Sequence, residues 1–300
     1  NIDFSDPYSR LAGAAYAART VPGGSGAMQV STTALSGISG ASYTADWTLD
    51  FSGLAGDATN YISVELYDVA GNTTTITDAF KVLKDTTPPS NVNGEAGGDA
   101  AWRKAGRNYN VDFNDAGSGL NGAKYAARTG PNYAGTLKVA STTIAGVAGA
   151  SFNADWTVDF ASLEDGAANY VSIELYDVAG NTATITDAFY IRKDTTPPSN
   201  VNGESGGDNT WRKAGRNYNV DFADAASGLN GAKYAARTGP NYTGTLKVAS
   251  TTIAGVTGAS FNTDWGVDFV SMEDSAANYV SVEMYDVAGN TATITDAFYI

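Results

Sequence analysis

The chain has 300 residues, 43% of them hydrophobic, and a formal net charge of −14 with no cysteine and no histidine. The missing residue types exclude disulfides, thiolate zinc sites, Ser-His-Asp and Cys-His nucleophiles and HExxH centres. Carboxylate chemistry and hard, oxygen-seeking cations remain open, while the acidic balance argues against nucleic acid or anionic membranes as partners.

An internal repeat dominates the chain. NIDF at Asn1 returns as NVDF at Asn110 and Asn219, and YDVAGNT occurs at Tyr67, Tyr176 and Tyr285. DTTPPSNVNGE begins at Asp85 and again at Asp194, which sets a period of 109 residues. The second and third copies differ mildly, as in Ile173 against Val282, Leu163 against Met272 and Ala96 against Ser205. The first copy has diverged further, with DPYSRL from Asp6 where the second has DAGSGL from Asp115. These boundaries predict three repeats, 1–84, 85–193 and 194–300, the first without the linker and opening strand of the others. Asn1 aligns inside a repeat, so the expectation is a window on a longer repetitive chain. A strand donated by another subunit is the alternative.

Within the second copy, the predicted elements follow in chain order. A strand is expected near Val92–Glu95. Tyr109, Val111 and Phe113 alternate with polar residues, as strands do. Further strands are expected near Lys124–Arg128 and Leu137–Ser141, then at Trp156–Phe160 and Val171–Leu175, each with a period of two. Ile185, Phe189 and Ile191 share one parity near the end. No 18-residue apolar run offers a membrane-spanning helix, and no leader of the signal-peptide kind opens the chain. About seven short strands in one period point to an all-β two-sheet sandwich, with a closed barrel as runner-up. Pro197 and Pro198 stiffen the linker.

The run LEDG…YVSIELYDVAGN…DTTPP, from Leu163 to Pro198, resembles bacterial immunoglobulin-like (Big-type) repeats, as does the DAGSGL loop. The resemblance implies tandem immunoglobulin-like sandwiches of the kind found in stalks of surface adhesins, extracellular fibres and secreted multi-domain enzymes. Tyr170 departs from it, being out of phase with the inward residues of its strand, and so does not make the expected tyrosine corner.

An immunoglobulin topology would bring Asp115, Asp177 and Asn181 together beside linker Asp85, and Asp224, Asp286 and Asn290 beside Asp194. Acidic loops at such joints bind calcium in some giant adhesins of similar build, so these eight residues are the candidate metal ligands. The competing reading is plain turn chemistry, in which Asp and Asn bond their own backbone. Asp187, with Asp78 and Asp296, has inward parity and implies either a β-bulge or a partner such as Lys104 or Lys193. Glu164 and Asp165 are adjacent in an expected exposed turn and do not form a glycosidase cleft. Asn72-Thr-Thr and Asn241-Tyr-Thr match the glycosylation triplet without recurring elsewhere. Trp102 and Trp211 are expected to cover a sandwich edge.

The reading is therefore a non-enzymatic, extracellular structural segment of a fibre, filament or adhesin stalk. Its expected partners are copies of itself and cell-surface glycans, and calcium is the only cofactor expected. The alternative is a polysaccharide-binding array, for which Tyr133 and Tyr242 in the GPNY loops are the clearest contacts.

Overall fold

The computed structural model describes residues 1–95, 98–204 and 207–300; the Ala96 and Ser205 positions compared above lie outside them. The described residues form strands, turns and loops without any helix, so none is long and apolar enough to cross a membrane. The chain is all-β, built as immunoglobulin-like sandwiches.

Among the described residues, three separate apolar cores are present. The middle one is assembled from inward residues of alternating strands, among them Tyr109, Phe113, Val171, Ile173, Leu175, Phe189 and Ile191, all at most 2% exposed. One sheet around this core has five strands, in the order Leu137–Ile144, Leu120–Arg128, Ala167–Asp177, Thr182–Lys193 and Asp99–Arg103. Facing it is a sheet of Ser151–Phe152, Asp112–Asn114 and Ser90–Asn93, with a two-stranded pair of Trp156–Thr157 and Asn108–Tyr109 beside it. The other two cores carry the same central four-stranded order. The register recurs too: Tyr16 opposes Val64, Tyr125 opposes Ile173, and Tyr234 opposes Val282.

Several expectations are corrected. Tyr109 and Phe113 do not share one strand: Asn108–Tyr109 pairs with Trp156–Thr157, whereas Asp112–Asn114 pairs with two other strands. Their common parity buries both in one core while the backbone changes partners between them. The strand expected at Val92–Glu95 runs from Ser90 to Asn93 and is exposed along its length. Asp99–Arg103 is a strand that alternation did not reveal. It adds parallel to Thr182–Lys193 at the sheet edge, with Trp102 opposite Arg192. There the Arg192 guanidinium lies 5.9 Å from the Trp102 ring. Trp211, at the matching position, is 82% exposed and does not cover an edge.

The tyrosine that ties sheet to loop is Tyr125, whose hydroxyl accepts the Asp159 N–H at 2.9 Å; Tyr16 and Tyr234 do the same for Asp50 and Asp268. Tyr170 faces outward beside Tyr190, with ring centroids 5.9 Å apart. Buried Asn169 closes the adjoining loop by accepting the Glu164 N–H and donating to the Glu164 and Ala167 carbonyls.

Candidate metal centre

Two loops and one linker residue build each acidic cluster. The YDVAGN turn ends the strand Ala167–Asp177, and its Asp177 carboxylate accepts the N–H of Asn181 at 2.7 Å. The DAGSGL loop follows Asp112–Asn114, and there Asp115 accepts the Gly119 N–H at 2.7 Å. Linker Asp85 accepts Thr87 N–H at 3.0 Å and Ser118 N–H at 2.6 Å. Gly117 leaves the space for it, since a Cβ there would stand 2.6 Å from the Asp85 carboxyl carbon. Each aspartate is thus held by local turn bonding, the chemistry expected of Asp in turns. These bonds leave the carboxylates pointing at one another: Asp85, Asp115 and Asp177 each place an oxygen within 4.8 Å of the other two.

The next copy repeats the arrangement with Asp194, Asp224 and Asp286, all buried and again within 4.8 Å of one another. Asp194 accepts Thr196 N–H and Ser227 N–H, both at 3.0 Å. Asp224 accepts Gly228 N–H, and Asp286 accepts Asn290 N–H. Asn181 and Asn290 lie at the clusters but turn their side-chain nitrogens inward, donating to Asp177 and Asp286 and to the backbone carbonyls of Asp85 and Asp194. They act here as donors that brace the carboxylates.

Among the described residues, none of the six aspartates takes part in an ion pair. Burial raises the Asp224 carboxyl above its ordinary value, and the neighbouring Asp194 and Asp286 charges add to that rise. Asp85 is held below its ordinary value by its hydrogen bond with Ser118, which outweighs desolvation. Three gathered carboxylates without a counter-ion are costly unless protonated or bound to a cation. The donor set suits calcium: all oxygens, hard and anionic, with spacings that one ion bonded at ~2.4 Å can bridge.

The first copy is an internal contrast. Asp6 and Asp68 match Asp115 and Asp177, but Ser9 stands between them, its hydroxyl 2.7 Å from an oxygen of each. Asn72, the first sequon residue, is engaged with Asp68 at 2.6 Å.

Other candidates resolve differently. The strand Thr182–Lys193 bulges opposite Ser172, where Asp187 adopts a φ of 50°. Its carboxylate accepts Asn132 N–H at 2.6 Å instead of pairing with lysine. Lys193 donates to the Ala161 and Leu163 carbonyls, and Lys104 donates to the Gly289 carbonyl of the following copy. Glu164 pairs with Lys138. Asp165 grips the linker, accepting from Thr195 N–H, the Thr195 hydroxyl and the Thr196 hydroxyl; Asp57 does likewise for Thr86 and Thr87. A further group unseen in the sequence joins Arg107 to Glu95 and Asp99, with Arg103 also on Asp99. The Arg107 guanidinium lies 4.4 Å from the Tyr109 ring centroid.

Neither a protein-family model nor a curated protein matches the chain. Solved structures do resemble it. One is a 1.5-MDa bacterial ice-binding adhesin, at TM-score 0.36 and 17% identity over 95% of this chain and 84% of that one. Another is a Ca2+-stabilized adhesin with which an Antarctic bacterium binds ice, at TM-score 0.34 and 16% identity, covering 98% of this chain and 66% of that one. The FN1-FN3 domains of chicken CNTN1 follow at TM-score 0.24 and 10% identity, with 97% and 90% covered. The chain spans just under two thirds of the Antarctic adhesin chain.

Proposed function

We propose that this chain is a structural segment of an extracellular fibre, filament or adhesin stalk, made of Big-type repeats at 1–84, 85–193 and 194–300. Calcium held by Asp85, Asp115 and Asp177, and by Asp194, Asp224 and Asp286, stiffens its joints. The observation that carries this reading is the position of the linker carboxylates. Asp194 adds its oxygen to a pair supplied wholly by the following repeat, while its own N–H donates to Arg103 of the preceding one at 2.9 Å. A cation bound there ties the linker, and through it the preceding sandwich, to the next.

The linker supports the same reading. Its second proline, Pro89 or Pro198, is buried, and its threonines are held by Asp57 or Asp165 of the preceding copy. Repetition of one unit with short braced links builds length rather than a new active site. No catalytic role is proposed.

Small-angle scattering with calcium and with chelator tests this. The proposal expects a longer maximum dimension and a narrower distance distribution with calcium. Identical curves under both conditions would remove the stiffening role.

A further inference from the structure

The connection between the strands Leu120–Arg128 and Leu137–Ile144 turns through Pro131-Asn132-Tyr133-Ala134, closed by Ala134 N–H on the Pro131 carbonyl at 3.0 Å. Both central residues are left-handed, Asn132 at φ 52° and Tyr133 at φ 61°. Such a turn favours Asn-Gly or Gly-Gly, because a side chain at the second central position crowds the backbone. The third copy repeats it with Asn241 at 51° and Tyr242 at 59°. The first copy makes the same bend with Gly23 and Gly24, at 77° and 68°, so this fold needs no tyrosine there.

A second left-handed residue secures the turn. Asp187, at φ 50°, accepts Asn132 N–H at 2.6 Å; Asp296 accepts Asn241 N–H at 2.7 Å, and Asp78 accepts Gly23 N–H at 2.6 Å. What differs in the second and third copies is the ring that the anchored turn carries. Tyr133 is 48% exposed and Tyr242 49%. Neither ring is needed to close the turn, and both occupy a strained position. Strain retained at an exposed site points to function.

We infer that Tyr133 and Tyr242 are contact points for a polysaccharide. Tyr133 borders a small recess of about 10 Å³, lined also by Ala126, Arg128, Gly130, Tyr170, Ser172 and Asp187, so a ligand would lie across its mouth rather than within it. Arg128 donates to the Gly135 carbonyl at 3.2 Å and joins no ion pair among the described residues, leaving part of its donor fork for a ligand. Tyr170 opposes Arg128 across the sheet. An aromatic face with a planar donor fork beside it suits a pyranose, whose ring presents an apolar C–H face and a rim of hydroxyls. The patch is far smaller than the ~800 Å² per partner of a stable protein interface. Its recurrence one repeat further along suits a ligand that is itself periodic, and two weak contacts on one strand reinforce each other. This inference stands whether or not the acidic clusters hold calcium.

Affinity electrophoresis through gels containing xyloglucan, galactomannan, dextran or alginate tests it, with the parent chain beside a Tyr133→Gly/Tyr242→Gly double variant. At least one polysaccharide is expected to retard the parent, and the double variant's retardation should fall at least fivefold. The double variant should melt at or above the parent temperature, since glycine relieves the turn; a tyrosine with a merely structural role would give a lower one. Parent mobility unchanged in every gel, equal retardation of the two proteins, or a lower melting temperature of the double variant would each overturn the inference.

Discussion

Lys193 and Asp194 are consecutive, both buried, and anchored in opposite directions. The Lys193 ammonium donates to the Ala161 and Leu163 carbonyls at 3.0 and 2.9 Å, within the core-bearing unit that precedes it. The Asp194 carboxylate accepts Ser227 N–H at 3.0 Å and faces Asp224 and Asp286 in the unit that follows. At the crossing, contacts to the following unit thus begin at Asp194, while Thr195 and Thr196 beyond it are still held by Asp165 of the preceding one, so the two sets of contacts overlap along the linker and leave little slack for bending.

Lys193→Met should test the near side of that crossing. It leaves two carbonyls without their donor, a loss of about 1–3 kcal/mol. The midpoint of the denaturation transition should fall accordingly. Lys84→Met removes the matching bonds to Ser52 and Leu54 and should behave in the same way.

Asp194→Asn tests the far side. The amide oxygen can still accept Ser227 N–H, but Thr196 N–H loses its acceptor and the cluster loses one of three charges. Without calcium the variant should melt close to the parent temperature, because the lost hydrogen bond offsets the fall in repulsion. With calcium the parent should gain about 2.7 kcal/mol at a hundredfold excess over Kd, and the variant should lose much of that gain. Scanning fluorimetry with and without chelator reads both effects.

The pH dependence has two signs. Asp224 is raised above its ordinary 3.8 by burial and then by Asp194 and Asp286. In the metal-free chain its contribution to stability is therefore full below 3.8 and is lost as pH rises through the folded value. Calcium competes with that proton, so the calcium-induced shift in melting temperature should be largest at neutral pH and shrink on acidification. Asp208 behaves oppositely: the hydrogen bond from Arg212 lowers it to about 2. Its contribution is present above its ordinary value and lost as pH falls through about 2, so melting profiles should show a separate acid-side decline.

Tyr125→Phe removes the hydroxyl that accepts Asp159 N–H. The expected cost is about 1 kcal/mol, read from chemical denaturation. Tyr170→Phe, on the outward face, should cost less.

The architecture was legible because alternation records which side chains point inward. Val171, Ile173 and Leu175 are buried as their parity implies. The acidic clusters were legible because Asp115, Asp177 and the linker aspartates sit in turns that an immunoglobulin topology brings together. Three features were not. Backbone partners change between Tyr109 and Phe113 without altering parity, so the alternating pattern conceals the switch. Asp165 reaches Thr195 and Thr196 through a loop whose path depends on the buried amide of Asn169. The Glu95–Asp99–Arg107 group joins residues that a glycine-rich stretch of sequence separates, with no periodic signal, and its members look like ordinary surface charges in the sequence.

Isothermal titration of calcium into the full chain tests the central claim most directly. The account predicts two sites per chain, one lost in Asp85→Asn and the other in Asp194→Asn, with Asp6 and Asp68 contributing none. No binding heat, or sites that survive both substitutions, would contradict it.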